Sequence, residues 1–291
     1  MRYTKILSLW LKEKKQYVRN STYCNYFCLK THVVEYFQNM DIKDITTKDI
    51  KEFMENMLNK MLPISCLNIQ KILKQSFEYA IENGYIEENP YKKIRLPREE
   101  KKEVEVFSVE EMHKILATDV KERYTNIVEV AYRTGMRIGE IMVLKWEDID
   151  FDNNFLSVKR TFSKYYNSMP VIEKPKTKKS MRRIDLDKKC MSILRNIPHN
   201  SEYVFCGKTG NFLSYTIITK NFRSMCEKAN VHYRCFHTLR HTHASVLLAN
   251  GVHPKIVQER LGHSKIGITL DTYSHLIPTM QQTAVKVLDR L

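Results

Sequence analysis

Three short stretches in the later part of the chain hold side chains that could act together on an anion. RTGMRIGEIMVLKW carries Arg137 and Glu140, FHTLRHTHASVLLANG carries His237, Arg240, His241 and His243, and ERLGHSKIGITLDTYSHL carries His263 and Tyr273. Each has an ordinary explanation when taken alone. Arg137 and Glu140 are one helical turn apart, the spacing of a surface ion pair. Gly135 and Gly139 beside them each cost a helix about 1 kcal/mol relative to alanine, and they let the backbone approach a neighbour closely. His237 and His241 are four apart, as two zinc ligands on one helix face would be. Thr238 stands where an HExxH protease needs glutamate, and Arg240 puts a fixed cation between the rings. A bound metal is therefore not expected. Tyr273 alone, with a phenol pKa of about 10, is a poor nucleophile unless cations surround it or its electrophile is electron-poor.

Taken together the groups fit one task. Two arginines, several histidines, a lysine from the basic segment EKPKTKKSMRRIDL and one tyrosine make a cage for a phosphate. Guanidinium forks match phosphate oxygens and stay charged. They neutralise the charge that builds on a pentacoordinate phosphorus while the tyrosine oxygen attacks. The guanidinium pair supplies the positive charge that a metal would otherwise bring, and no carboxylate cluster suited to magnesium accompanies it.

These residues must be positioned by helices for the most part. Ile6, Leu7, Trp10 and Leu11 repeat at helical spacing, as do Tyr26, Phe27, Val33, Val34 and Phe37. ITTKDIKEFMENML opens a third helix with Thr46 or Thr47 as N-cap, and ISCLNIQKILKQSFEYAIENG closes a fourth at Asn83-Gly84. EENPYKKIRLPREEKKEVEVF, with two prolines and dense charge of both signs, reads as a linker. The boundaries expected are a helical domain over 1–90, a linker over 91–107 and a second domain over 108–291. Ser108 and Glu111 have capping-box spacing at the start of the second domain. Thr125 to Leu144 reads as one long helical stretch, broken near Gly135. NNFLSVKRT, VIEKPKT and SMRRIDL alternate in strand fashion and predict a small antiparallel sheet with a lysine-rich hairpin. Helices return from Thr216: one before Gly251, one over Pro254 to Leu261, a short one around Tyr273 and a last one to Leu291. The fold class is mainly α with a small antiparallel sheet.

The ordered set resembles the tyrosine recombinases of the phage integrase family. Thr134-Gly135-Met136-Arg137-Ile138-Gly139-Glu140 matches its T-G-x-R-x-x-E pattern. His237-Thr238-Leu239-Arg240 matches H-x-x-R, Leu261-Gly262-His263 matches L-G-H, and Tyr273 follows about ten residues later. The resemblance makes Lys176 the hairpin lysine, with Lys174, Lys178 and Lys179 flanking it. It also makes the N-terminal helices a core-binding domain. By resemblance, Arg137 and Arg240 bind the nonbridging oxygens of the scissile phosphate. His237 and His263 hydrogen-bond it, and His237 also accepts the tyrosine proton. Lys176 protonates the departing 5′ oxygen, and Tyr273 forms a 3′-phosphotyrosine. Glu140 supports His237 or Arg137, His241 lies beside the site, and His243 is structural. The resemblance further implies strand exchange in a tetramer on two duplex DNA sites without ATP, and two domains that close on the duplex. The apolar closing segment PTMQQTAVKVLDRL, with Met280, Ala284, Val287 and Leu288 at helical spacing, packs on its own domain or docks into a neighbouring subunit. The core-binding helices begin almost at Met1, so the chain resembles the short two-domain type or a longer enzyme shortened at its start, and arm-site binding is not expected.

Composition agrees. The 291 residues carry a formal net charge of +15, which suits a polyanionic partner, double-stranded DNA first. Seven scattered cysteines form no CxxC pair, which argues against a disulfide framework and for a reducing cytoplasm. No apolar run reaches transmembrane length, so a membrane partner is not expected. No cofactor is expected, and whether a directionality factor takes part stays open. A type IB topoisomerase-like relaxing enzyme would use the same chemistry, and a catalytically silent DNA-binding relative would keep the fold. The N-terminal layout and the intact residue set favour the recombinase.

Overall fold

A computed structural model describes residues 1–97, 104–166, 169–175 and 178–273, together with 285, 288 and 289. The chain forms two compact units, Met1–Lys101 and Lys102–Leu291.

The first unit is built from α1 (Tyr3–Tyr17), α2 (Asn20–Phe37), α3 (Thr47–Lys60) and α4 (Pro63–Glu82). Their ends are marked by local chemistry. Thr46 accepts from the Asp49 N–H, and the Asp49 carboxylate accepts from the Thr46 N–H, a reciprocal capping box on α3. Pro63 opens α4 where its missing N–H costs nothing, and Asn83-Gly84 ends it. Trp10, Phe37, Phe53 and Phe77 are buried in one core with Tyr3, which stacks on Phe77 at 4.7 Å and bonds its hydroxyl to Ser76 Oγ at 2.7 Å. Burying each such side chain contributes about 1.5–3 kcal/mol. Phe27, one of the expected core positions, is instead 49% exposed. Tyr26, Val33 and Phe37 supply the buried stripe of α2, and Phe27 lies about 100° around the helix from Tyr26. The start of the expected linker is anchored on this unit. Tyr91, Ile94 and Leu96 pack against its core, and Gln70 Nε2 donates to the Ile94 carbonyl at 3.0 Å.

The second unit begins with α5 (Val109–Leu116), capped by the Ser108/Glu111 box, then α6 (Glu122–Thr134) and the short α7 (Ile138–Met142). The stretch read as one helix from Thr125 to Leu144 is thus two. Gly135 stops α6 at φ +65°, and a Cβ there would lie 2.7 Å from the His243 ring. Neither its backbone nor its space suits another residue.

The strands are β1 (Ile149–Asp150), β2 (Phe155–Val158), β3 (Thr161–Tyr166), β4 (Met169–Glu173) and β5 (Arg182–Asp185). They form two sheets rather than one. One has the order β1-β2-β5 and the other is the β3-β4 pair, all antiparallel. β4 therefore does not pair with β5 as the sequence suggested. The lysine-rich segment runs from one sheet to the other, because β2 takes up the edge that β4 would have filled.

The remaining helices are α8 (Lys188–Asn196), α9 (Tyr215–Lys228), α10 (Thr238–Ala249), α11 (Pro254–Leu261) and α12 (Ile266–Tyr273). α8 was not anticipated, although Asp187 caps it by accepting from the Cys190 N–H at 2.8 Å. α10 packs on α6, and α11 packs on α10 and α12. Phe107, Leu156, Ile184, Phe222 and Leu239 lie in the main core, and Ala244, Leu248, Val257, Leu261 and Tyr273 form a smaller one. No described helix is long and apolar enough to cross a membrane.

Candidate active site

Arg137 is the N-cap of α7, its backbone extended by the turn at Gly135. Its N–H donates to Glu140 Oε2 at 2.9 Å, and its guanidinium Nη1 donates to Oε1 at 2.8 Å. Gly139 follows because α7 lies against β3: a Cβ there would meet the Phe162 carbonyl oxygen at 2.6 Å. The close approach expected of this glycine is thus to a strand.

Glu140 is buried, and its main partner is Arg182, whose two terminal nitrogens grip both carboxylate oxygens at 2.9 and 3.2 Å. Burial pushes this carboxyl upward. Arg182 and then Arg137 outweigh that and hold it below the usual carboxylate range. Arg182 also donates from Nε to the Arg260 carbonyl at 2.7 Å, which ties β5 to the end of α11.

His237 is the N-cap of α10, and Arg240 and His241 follow it three and four residues on. Arg240 is 3% exposed and donates to the carbonyls of Gly135 (2.7 Å) and Leu261 (2.6 Å). It pins the α6–α7 turn to the end of α11. A guanidinium has more donors than these two carbonyls use. Burial, with Arg137 and Arg182 nearby, lowers Arg240 to about 9, so it remains charged at neutral pH. The neighbourhood holds three guanidinium groups and one carboxylate, an excess of positive charge suited to an anion.

Tyr273 closes α12 and is 1% exposed. Its hydroxyl lies 2.6 Å from His241 Nδ1. Burial pushes the phenol up to about 12, against the pull of Arg240, so it is protonated at rest. The His237 and His241 rings meet edge to face at 4.8 Å. His263, just after the left-handed Gly262 that ends α11, pairs its Nδ1 with Thr269 Oγ1 at 2.9 Å. Lost hydration, then the cations around them, lowers His237 to about 4 and His263 to about 3. Both are neutral near pH 7.

The structure thus brings together Arg137, Glu140, His237, Arg240, His241, His263 and Tyr273. Lys176 lies outside the described residues, as do Met280, Ala284 and Val287 of the closing segment. Nearby, Lys179 Nζ donates to the Ser264 carbonyl at 3.2 Å, which joins the basic segment to the turn after His263. His243 faces elsewhere. It donates from Nδ1 to the Tyr132 carbonyl and accepts from Arg260 Nε at Nε2, bridging α6, α10 and α11. Three supporting residues were missed: Arg182, Arg260 and Thr269. The doublet Arg182-Arg183 in an otherwise alternating strand was the available signal for the first. The described residues contain no cluster of three or more histidine, cysteine or acidic side chains arranged for a metal.

Residues 104–280 match the phage integrase family, and residues 3–58 match the phage integrase N-terminal SAM-like domain. The chain belongs to the phage integrase family. This integrase-family protein is a tyrosine-type site-specific DNA recombinase, mainly helical with small antiparallel sheets. It is 32% identical over 328 residues to a tyrosine recombinase XerC-like protein of Caldanaerobacter subterraneus subsp. tengcongensis, covering 98% of this chain and 82% of that one. It is 27% identical over 303 residues to the ICEBs1 integrase of Bacillus subtilis, covering 98% and 81%. Its fold is similar to that of the Tn1549 transposon integrase in complex with circular intermediate DNA (TM-score 0.81, 19% identity, 99% of both chains). It is also similar to lambda integrase in a tetramer bound to a Holliday junction (TM-score 0.73, 19% identity, 92% of this chain and 76% of that one). At such identities these two likenesses speak to fold alone.

Proposed function

We propose that this recombinase cuts and rejoins double-stranded DNA through Tyr273. The tyrosine oxygen bonds to the scissile phosphorus, the bond from phosphorus to the 5′ oxygen breaks, and a 3′-phosphotyrosine and a free 5′ hydroxyl result. The observation that carries this reading is the buried Tyr273 hydroxyl in a neighbourhood whose guanidinium charge exceeds its carboxylate charge. Arg137 and Arg240 hold the nonbridging oxygens, and His237 and His263 hydrogen-bond them. Donors of this kind stabilise the charge of the transition state and contribute about 10²–10³ in rate each. Glu140, gripped by Arg182, holds Arg137. Lys176 is the proposed donor to the 5′ oxygen. The phosphotyrosine link conserves the bond energy, so rejoining needs no ATP, and the guanidinium charge needs no metal or cofactor to assist it.

Residues 1–90 serve as the core-binding domain and 108–291 as the catalytic domain, and the strand exchange takes place in a tetramer on two DNA sites. The relative named as the ICEBs1 integrase supports a mobile element as the context. The net charge of +15 supports a clamp on the phosphate backbone, whose affinity falls steeply with salt.

The test is covalent trapping. Duplexes from the DNA flanking the gene, nicked so that the cut end diffuses away, are incubated with the protein and run on denaturing gels. The expected result is a protein–DNA adduct that Tyr273→Phe abolishes. Tight binding with no adduct would point to a missing partner or to the silent DNA-binding alternative.

A further inference from the structure

Resting on the reading of Tyr273 as nucleophile, we propose that His241, not His237, accepts the phenolic proton through Nδ1 as the tyrosine oxygen bonds to phosphorus. The geometry makes the distinction. His237 caps α10 and His241 lies one turn further along it, and α12 packs against α10. Among the described residues, the Tyr273 hydroxyl has its hydrogen bond with His241 Nδ1, at 2.6 Å and a ring separation of 5.9 Å. The described ring contact of His237 is with His241, edge to face. His237 is therefore left for the phosphate, and the two histidines divide the work.

The protonation states agree with this division. A protonated phenol donates, so Nδ1 accepts and the imidazole carries its proton on Nε2. The groups facing His241 are His237 and Arg240 on its own helix, Tyr273 on α12, and His263 beyond α11. Burial and the Arg240 cation lower its proton affinity below that of an ordinary histidine. The ring is thus neutral and able to accept near pH 7. At rest the phenol holds its proton far more tightly than the imidazole would. Transfer therefore accompanies bond formation, when the attacking oxygen loses electron density to phosphorus and its proton becomes acidic. The balance is complete: the Tyr273 oxygen–phosphorus bond forms, the bond to the 5′ oxygen breaks, the phenolic proton goes to His241 Nδ1, and the departing oxygen takes a proton from a separate acid. On rejoining, the imidazolium returns its proton to the leaving tyrosine oxygen.

The experiment measures single-turnover adduct formation for wild type, Tyr273→Phe, His241→Asn and His241→Ala. Each is run on a nicked duplex with the natural phosphate and on one with sulfur replacing the bridging 5′ oxygen, whose thiolate leaves without protonation. His241→Asn keeps an acceptor near the Nδ1 position but cannot take a proton. Expected are a loss of about 10²-fold or more in both variants, of the size of a missing general base, with DNA affinity unchanged and no rescue by sulfur. Variants as fast as or faster than wild type would show that the bond only restrains Tyr273, and rescue by sulfur would place His241 on the leaving-group side. Either result overturns the proposal while Tyr273 stays the nucleophile. A wild-type enzyme without a Tyr273-dependent adduct overturns the underlying reading as well. The wild-type pH profile needs no variant to fold. On the sulfur duplex the rate should rise through a midpoint below the ordinary histidine value of about 6.5, and a flat profile through that region overturns the proposal.

Discussion

The four-helix unit and the catalytic unit solve opposite problems. In the first, the buried polar side chains among the described residues are Gln70 and Ser76, and the rest of the interior is aromatic and aliphatic. In the second, Glu140, Arg240 and His243 are buried together with Glu129 and Asp148. Apolar burial is non-directional, so a stripe of suitable side chains is enough to close the first unit. A buried charge is tolerated only when it is paired and hydrogen-bonded, so the second unit must fix each donor against a particular acceptor. The difference teaches where sensitivity lies: the helical unit responds to lost volume, and the catalytic unit to a lost partner.

The largest break in that contrast is expected from Glu140→Ala. It leaves the Arg182 guanidinium, 4% exposed, without its carboxylate, and takes the partner from Arg137. Removing one member of a buried pair costs about 3–5 kcal/mol. Denaturant unfolding should show the second unit destabilised by that amount while the first is unchanged, and Tyr273 adduct formation should fall with it. The converse is Leu7→Ala. Leu7 is fully buried in the first unit, and its truncation costs about 2–5 kcal/mol through lost contacts and a cavity. It should lower only the first unfolding transition. A single transition in both variants would show that the units unfold together.

This contrast also explains how much was legible in the sequence. The helices of the first unit, the Thr46 and Ser108 caps and the stop at Gly135 rest on neighbours within a few residues, so their signals are local. Arg182 finds Glu140 at a separation of 42 residues, and Arg260 finds His243, Asp185 and Arg133 at separations of 17, 75 and 127. No periodicity records such pairings. The strand partners failed for the same reason, since alternation marks a strand but not the edge it joins. The histidine that faces Tyr273 depends on how α12 docks on α10, which the order of His237 and His241 along the chain does not reveal.

Mild acid should separate the two units by a smaller effect. His243 is 6% exposed, and burial followed by the Arg260 cation lowers it to about 3. His237 and His263 shift in the same direction. Folded-state values below the ordinary one mean that, as pH falls below about 6.5, the unfolded chain takes up protons that the folded chain refuses. Stability is therefore full above that value and declines beneath it, by up to about 1.4 kcal/mol per pH unit for a fully buried histidine such as His243. Between about pH 6.5 and 5 the ordinary carboxylates are still ionised. The first unit carries a single histidine, His32. Thermal melts across that window should lower the transition of the second unit and leave the first nearly fixed. Equal slopes would mean that the site histidines are not held neutral by the fold.

The smallest effects come from a device that both units share. Thr46 caps α3 with Asp49, and Ser108 caps α5 with Glu111, by the same reciprocal bonds. Thr46→Ala and Ser108→Ala should each cost about 1 kcal/mol, the usual value of an N-cap. The acidic partners should not be equivalent. Asp49 caps only its own helix, whereas Glu111 also accepts from Arg234 Nη1 at 3.1 Å, and Arg234 lies 4.8 Å over the ring of Phe107. Glu111→Ala therefore loosens the arginine that covers the start of the second unit, while Asp49→Ala loses only a cap. Glu111→Ala should cost measurably more in denaturant unfolding, and the excess should vanish in an Arg234→Ala background. An excess that survives there would mean that the cap, not the partner, sets the cost in the catalytic unit too.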